Sequence, residues 1–257
     1  MISEAFVEAR SLVSRIDPRI RVAAAAGYTS VVAVCDDLTA LVASLGVSAL
    51  LVILARLPLL KVAGRLTVVA GFLALIWALL PLTYGGPVMG RLGPLVFHAP
   101  GVRLALQITL KSVAIVTAFI ALVATMDIAT LGHSLLRLGV PAKVAYLLLM
   151  TYRYIFVLEQ EYQRLLRAAR IRGFKPGTNL HSYRTFAYLV GMLFVRASNR
   201  AQRVHQAMKC RGFRGRFYSL ARFRASAGSW LFALLMAAVC TGLIWMQTKG
   251  FSIGFSI

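Results

Sequence analysis

The sequence predicts an all-α integral membrane protein of about five transmembrane helices, with a cytoplasmic domain built on two long helices. Three observations predict it. Of the 257 residues, 59% are hydrophobic and 14% charged, and the mean hydropathy is +0.76, too apolar for an ordinary soluble domain. Apolar runs alternate with short basic loops, as the positive-inside rule expects of a chain crossing a bilayer repeatedly. Sixteen of the 29 basic residues then gather between Arg153 and Arg224, where the acids are Glu159 and Glu161.

The elements follow in order. Residues 1–22, "MISEAFVEARSLVSRIDPRIRV", place acids and a proline ahead of the first apolar run and show no small-residue cleavage site, so no signal peptide is expected and the first span stays in the mature protein. Residues 22–54 would make a helix of about 50 Å against a hydrocarbon core of about 30 Å. Asp36 and Asp37 interrupt this run and mark the turn of a hairpin of two short spans. The loop with Arg56, Lys61 and Arg65 is expected in the cytoplasm, and a third span follows from about Leu66 to Tyr84. "GGPVMGRLGPLVFHAPG" reads as an external loop broken by Gly and Pro, and residues 104–126 return. Lys111 falls inside this fourth span, as an intramembrane polar contact or, the favoured reading, as a side chain snorkelling toward the loop.

These runs define a membrane region of four spans (1–126), a basic region (127–224) and a last span within 225–257. The N-terminus is then cytoplasmic and the C-terminus outside. Inside the basic region, "DIATLGHSLLRLGV" is a short helix. Pro141 suits the first turn of a second helix that runs to Arg172, where Gly173 supplies the cap. A third runs from about His181 to Arg211 and ends at Gly212 in the same way.

The ends of the two long helices repeat a phrase. "RLLRAARIRGF" and "VHQAMKCRGF" share Ala-x-x-x-Arg-Gly-Phe: Ala168, Arg172, Gly173 and Phe174, then Ala207, Arg211, Gly212 and Phe213. Residues four apart lie on one helical face. A small residue one turn before a long cation allows close approach of another backbone while the guanidinium reaches past it. Arg196, Arg200 and Arg203 continue this face into a basic stripe, with Ala207 and Arg211 falling within about 80° of them. Cations near a helix C-terminus interact favourably with its dipole by about 0.3 to 1 kcal/mol, which accounts for one such end. Two copies sharing four positions point to docking.

With these residues in view, the chain resembles the transmembrane T component of energy-coupling factor (ECF) transporters, of the cobalt-transport CbiQ type. The resemblance runs from "IDPRIRV", with its Asp17-Pro18-Arg19, through "GVPAKVAYLLLMTYRYIFVLEQEYQRLLRAARIRGF" to "NRAQRVHQAMKCRGF". Ile171 and Cys210 stand where the family's two Ala-Arg-Gly signatures have alanine. The resemblance implies that residues 127–224 form a cytoplasmic coupling domain. Each tip, Ala168, Arg172 and Gly173 or Ala207, Arg211 and Gly212, would enter one of two ATP-binding-cassette ATPase subunits (CbiO type). Their hydrolysis would be transmitted to a separate substrate-binding membrane subunit (CbiM type), with a small accessory subunit (CbiN type) as a further partner. It implies cobalt as cargo, with nickel or vitamin importers of the same class as alternatives, and a bacterial cytoplasmic membrane location. ATP and Mg would be used by the partners, with no cofactor bound by this chain.

Other functions find less support. The formal charge of +21 would suggest nucleic acid in a soluble chain, but here the cations sit in loops between spans. Cys35, Cys210 and Cys240 are widely spaced, and His98, His133, His181 and His205 are scattered, so neither a disulfide framework nor a metal site is expected. A stand-alone permease would be expected to carry ionisable groups inside its spans. There is no Gly-rich phosphate loop and no His-Glu-x-x-His helix, so the chain is not read as an enzyme.

Overall fold

A computed structural model of the chain describes residues 16–85, 87–92, 95–215 and 226–254. The expectation about the first fifteen residues, the cations Arg216, Arg222 and Arg224, and the extreme C-terminus lie outside the described residues. The chain divides into two compact units, one of Met1–Leu138 with Arg222–Ile257 and one of Gly139–Ala221.

The first unit is the membrane region. Helices α1 (Pro18–Val34) and α2 (Leu38–Leu54) form the hairpin expected around Asp36 and Asp37. At 17 residues each they are about 26 Å long. α3 (Leu59–Thr83) and α4 (Ala99–Leu122) follow, then α5 (Ile128–Arg137). The last helix, here α8 (Ala227–Gly254), returns to this unit after the two long helices α6 (Ala142–Ile171) and α7 (Leu180–Cys210). Three segments, Leu60–Thr83, Ala99–Leu122 and Ala227–Lys249, have the length and apolarity of full spans, while α2 is apolar but shorter. Phe72 and Val68 on α3 and Trp230 and Leu234 on α8 are exposed, a surface that lipid covers in a helical membrane protein.

The segment read as a broken external loop instead contains an antiparallel hairpin, β1 (Val88–Leu92) with β2 (Leu95–His98), in the register Arg91 to Val96 and Leu92 to Leu95. Strands of four and five residues are too short for alternation to stand out from Gly and Pro in the sequence.

Polar groups inside the membrane unit pin the helices to one another. Buried Tyr28 on α1 donates its hydroxyl to the Ser44 carbonyl at 2.6 Å and lies 2.9 Å from Ser48 Oγ. Ser48 in turn donates to the Ala114 carbonyl of α4 at 2.9 Å. Three helices are thus joined through satisfied groups, the condition for burying hydroxyls. At the start of α1, the Asp17 side chain accepts from the Arg19 amide at 3.0 Å as an N-cap, and the Asp17 amide donates to Ser229 Oγ of α8 at 3.0 Å. Arg21, 2% exposed, donates to Thr125 beyond α4.

At the other end of α1, Lys111 of α4 reaches the Asp36 carboxylate at 2.7 Å and donates to the Ala33 carbonyl at 3.2 Å. Lys111 thus makes a polar contact with the end of α1 and the α1–α2 turn, the alternative to snorkelling toward the loop ahead of α4. Gln107 donates to the Asp36 carbonyl at 2.6 Å, and Gln247 of α8 accepts from the Asp36 and Asp37 amides at 3.0 and 3.2 Å. α3 and α4 approach closely at Gly101, where a Cβ would stand 2.5 Å from the Leu80 carbonyl oxygen and 3.0 Å from Pro81 Cα.

The second unit holds α6 and α7. Pro141 is the N-cap of α6, with ψ 131, and the helix begins one residue later at Ala142. α5, which the sequence groups with the basic region, packs against α1 within the first unit. Asn179 caps α7 by accepting from the Ser182 amide at 2.9 Å.

Candidate functional site

The repeated phrase folds the same way twice. α6 ends at Ile171 with Arg172 as its C-cap; the Arg172 amide bonds to the Ala168 carbonyl at 3.3 Å, Gly173 to Arg170 at 3.0 Å and Phe174 to Ala169 at 3.1 Å. α7 ends at Cys210 with Arg211 as its C-cap; Arg211 bonds to Ala207 at 3.2 Å, Gly212 to Lys209 at 3.0 Å and Phe213 to Met208 at 3.1 Å. The bonds from Gly and Phe are the paired bonds of a Schellman motif, which satisfies the last carbonyls of a helix and needs a left-handed residue after the cap. Gly173 and Gly212 supply it, with φ of 86° and 79°.

A Cβ at either glycine would meet nothing within 4 Å, so substitution costs conformational strain alone, about 1–2 kcal/mol. Gly173→Ala and Gly212→Ala are expected to leave the chain folded while speeding amide hydrogen exchange at Phe174 and Phe213 by roughly tenfold. Unchanged exchange at both amides would show that the left-handed glycine is not what holds these ends.

Arg172 and Arg211 are exposed, as are Ala168 and Ala207 one turn earlier. Ile171 is 87% exposed and Cys210 is an exposed free thiol. The departures from alanine therefore alter the outer surface of the tips and leave their fold undisturbed. Phe174 is buried and packs edge-on against Phe186 at 5.5 Å, with His181 at 6.4 Å. The Arg172 tip thus sits beside the start of α7, while Arg211 follows its end. A helix of 31 residues separates the two tips by on the order of 40 Å.

Between the tips the basic stripe is partly answered inside the chain. Glu161 of α6 takes an ion pair from Arg196 and another from Arg164 at 3.5 Å. The Arg196 hydrogen bond holds the Glu161 carboxyl below its ordinary range, with Arg196, Arg164 and Arg200 charges adding to the effect. Arg200 and Arg203, farther along the stripe, make no ion pair among the described residues. A cleft of about 550 Å³ lies beside the first tip, lined by Ala168, Arg172, Phe174, Tyr188 and Met192. Among the described residues no three of His, Cys, Asp and Glu gather where a metal ion could be held.

Residues 9–223 match the family described as CbiQ, cobalt transport protein. The chain belongs to the CbiQ family. It is 26% identical over 265 residues to an energy-coupling factor transporter transmembrane protein EcfT of Listeria innocua, covering 96% of this chain and 98% of that one. A protein of the same name from Thermosediminibacter oceani is 26% identical over 82% of this chain and 83% of its own. A cobalt transport protein CbiQ of Rhodobacter capsulatus is 32% identical over a shorter stretch, 37% of this chain and 38% of that protein. Family and relatives together make this chain the transmembrane T component of an ECF transporter.

Within this CbiQ-family chain, sequence reasoning found both tips but missed three polar features. Glu161, the internal partner of the stripe, was visible as one of two acids among the cations. Arg21 stands just ahead of the first apolar run, where nothing in the sequence marks it, and only packing reveals that it is buried. The seat of Lys111 on Asp36 joins residues too distant in sequence for spacing to pair them.

Proposed function

We propose that this chain couples two cytoplasmic ATP-binding-cassette subunits to a separate membrane subunit that captures cobalt ions, without catalysing a reaction itself. The repeated tip carries the reading. Two exposed arginines, each fixed at a C-cap by a glycine-terminated helix, stand on the order of 40 Å apart, a separation suited to two equivalent partners. ATP and Mg would be handled by those CbiO-type partners, and the metal by a CbiM-type subunit, with or without a CbiN-type accessory. Arg196, Arg200 and Arg203 would support docking along the stripe.

The family description favours cobalt, while the relatives that cover most of the chain carry the general ECF name, which keeps nickel and vitamin cargoes as the second reading. Co-expression followed by purification through this chain is the test. Recovery of two ATPase chains with a substrate-binding membrane chain, and uptake of labelled Co²⁺ above Ni²⁺ by the complex, is expected. Saturable cobalt transport by this chain alone would instead establish a permease.

The proposed orientation is multi-pass in the bacterial cytoplasmic membrane, with the N-terminus inside, residues 127–224 in the cytoplasm and the C-terminus outside. A cysteine placed in "KPGTN" is expected to react only from the cytoplasmic face and one at Ser256 only from outside, in a background lacking the three native cysteines. Reaction of both from one face would overturn the five-span topology.

A further inference from the structure

Asp17 and Arg21 stand four residues apart at the start of α1, on one helical face, and both are buried, at 6% and 2% exposed. The Asp17 amide ties α1 to Ser229 in the first turn of α8. The Arg21 guanidinium ties it to Thr125 in the turn between α4 and α5. Thr125 donates its own hydroxyl back to the Ala121 carbonyl at 3.0 Å, which leaves its oxygen lone pairs for Arg21.

These two ties fall where the chain runs out to the second unit and where it comes back. Thr125 leads into α5, which ends just before Gly139 opens the second unit, and Arg222 resumes the first unit and leads into α8. A displacement of α6 and α7 can be carried to the membrane helices along these two lengths of chain. Both are held by the same turn of α1. At its far end α1 is tied again, through Asp36 to Lys111 and Gln107 of α4 and to Gln247 of α8. A shift imposed on the first turn is thus delivered along a helix of 17 residues to the same two helices farther along.

Stability gives no account of Arg21. A guanidinium buried without a carboxylate costs more to desolvate than one neutral hydroxyl returns. Among the described residues Arg21 makes no ion pair, and its Nε has no hydrogen-bond partner. The bonds that run from Tyr28 through Ser48 to Ala114 hold three helices with neutral groups, every one of them satisfied. An apolar side chain of the same length as Arg21 would fill its space without the cost, and a group kept at such a cost points to function.

We propose that the first turn of α1 is the joint through which movement of the two long helices reaches the membrane helices, with Arg21 as a positioning residue for transport. The joint rests on the coupling role proposed above and adds to it the place where the two units are mechanically connected.

The test uses the transporter purified through this chain and reconstituted in vesicles. Uptake of labelled Co²⁺ and ATP hydrolysis are measured together, and amide hydrogen exchange at Asp17 and Met126 is compared between ADP and a non-hydrolysable ATP analogue. The wild type is expected to show a nucleotide-dependent change at both amides. Arg21→Met should keep its ATPase chains, hydrolyse ATP within about twofold of the wild-type rate and lose that change, while uptake per ATP falls roughly tenfold, inside the range of coupling between sites. Its chain should melt no lower than the wild type. Arg21→Lys, which can still donate to Thr125, should restore coupling. Thr125→Val should lower the melting temperature by leaving a buried cation with no partner, and Arg21→Met/Thr125→Val should recover that stability without recovering uptake. Arg103→Gln, on an exposed turn of α4, should change nothing.

Wild-type uptake and nucleotide response in Arg21→Met would overturn the joint. So would a lower melting temperature with hydrolysis and uptake lost in proportion, because Arg21 would then be an ordinary structural contact. A wild-type complex that hydrolyses ATP without taking up Co²⁺ would remove cobalt as cargo, and the exchange at Asp17 and Met126 would still decide the joint. Purification of the wild-type chain without any ATPase would instead remove the coupling role, and the joint with it.

Discussion

With Arg172 and Arg211 both changed to glutamate, metal uptake by the assembled transporter is expected to fall to background and the ATPase chains to leave the purified complex, while the membrane subunits stay together. Each arginine sits at a C-cap whose backbone is already satisfied by the Schellman bonds, so the side chain is free for a partner and its loss leaves the helix intact. A charge-assisted hydrogen bond contributes about 1.5–3 kcal/mol, and reversal adds repulsion to that loss. Either single reversal should impair transport yet retain both ATPases, because the second contact remains effectively intramolecular. Ala168→Leu or Ala207→Leu should act in the same direction by blocking close approach without changing charge. The measurements are uptake and ATPase co-purification for each variant. Normal transport by the double reversal would reduce the repeated phrase to a favourable way of ending a helix.

Gly101→Val is expected to destabilise the membrane unit clearly. The new Cβ would meet backbone atoms of α3, the Leu80 carbonyl oxygen at 2.5 Å and Pro81 Cα at 3.0 Å. Backbone has no rotamer by which to move aside, so α3 and α4 must separate, and overpacking of this kind costs about 1–3 kcal/mol. Thermal unfolding of the purified chain should show a clear loss relative to Gly71→Val, which also lies in a helix but has nothing within 4 Å of the added carbon. Equal melting of the two variants would mean that the α3–α4 crossing yields easily.

What could be read from the sequence follows from what hydrocarbon and helix ends forbid. Asp36 and Asp37 fixed the first turn because paired acids do not sit in a bilayer core. Gly173 and Gly212 fixed the ends of α6 and α7 because a left-handed position after a cation leaves few other residues possible. Ser44 and Ser48 gave no such signal, since a serine in an apolar run scarcely changes hydropathy, and their bond to Tyr28 exists only once α1 and α2 have paired. Arg21 and Lys111 were ambiguous for a related reason. A long cation beside or inside a span reads the same whether it escapes to water or is held by Thr125 or Asp36. At the tips, spacing revealed the repetition and which faces align, but the internal use of Arg196 by Glu161 depends on where two helices meet.

The bonds from α1 to α8 also bear on how the protein is made. Asp17 and Ser229 are 212 residues apart, and Asp36 and Gln247 are 211 apart. At 5–20 residues per second of synthesis, the donors at both ends of α1 wait roughly 10–40 s for their acceptors to be made. During that interval the amides of Asp17, Asp36 and Asp37 must be hydrated or held by headgroups, and α1 cannot take its final place. The bundle is closed by α8, which is made after α1 to α7, so the pace of translation sets the earliest moment at which α1 can settle.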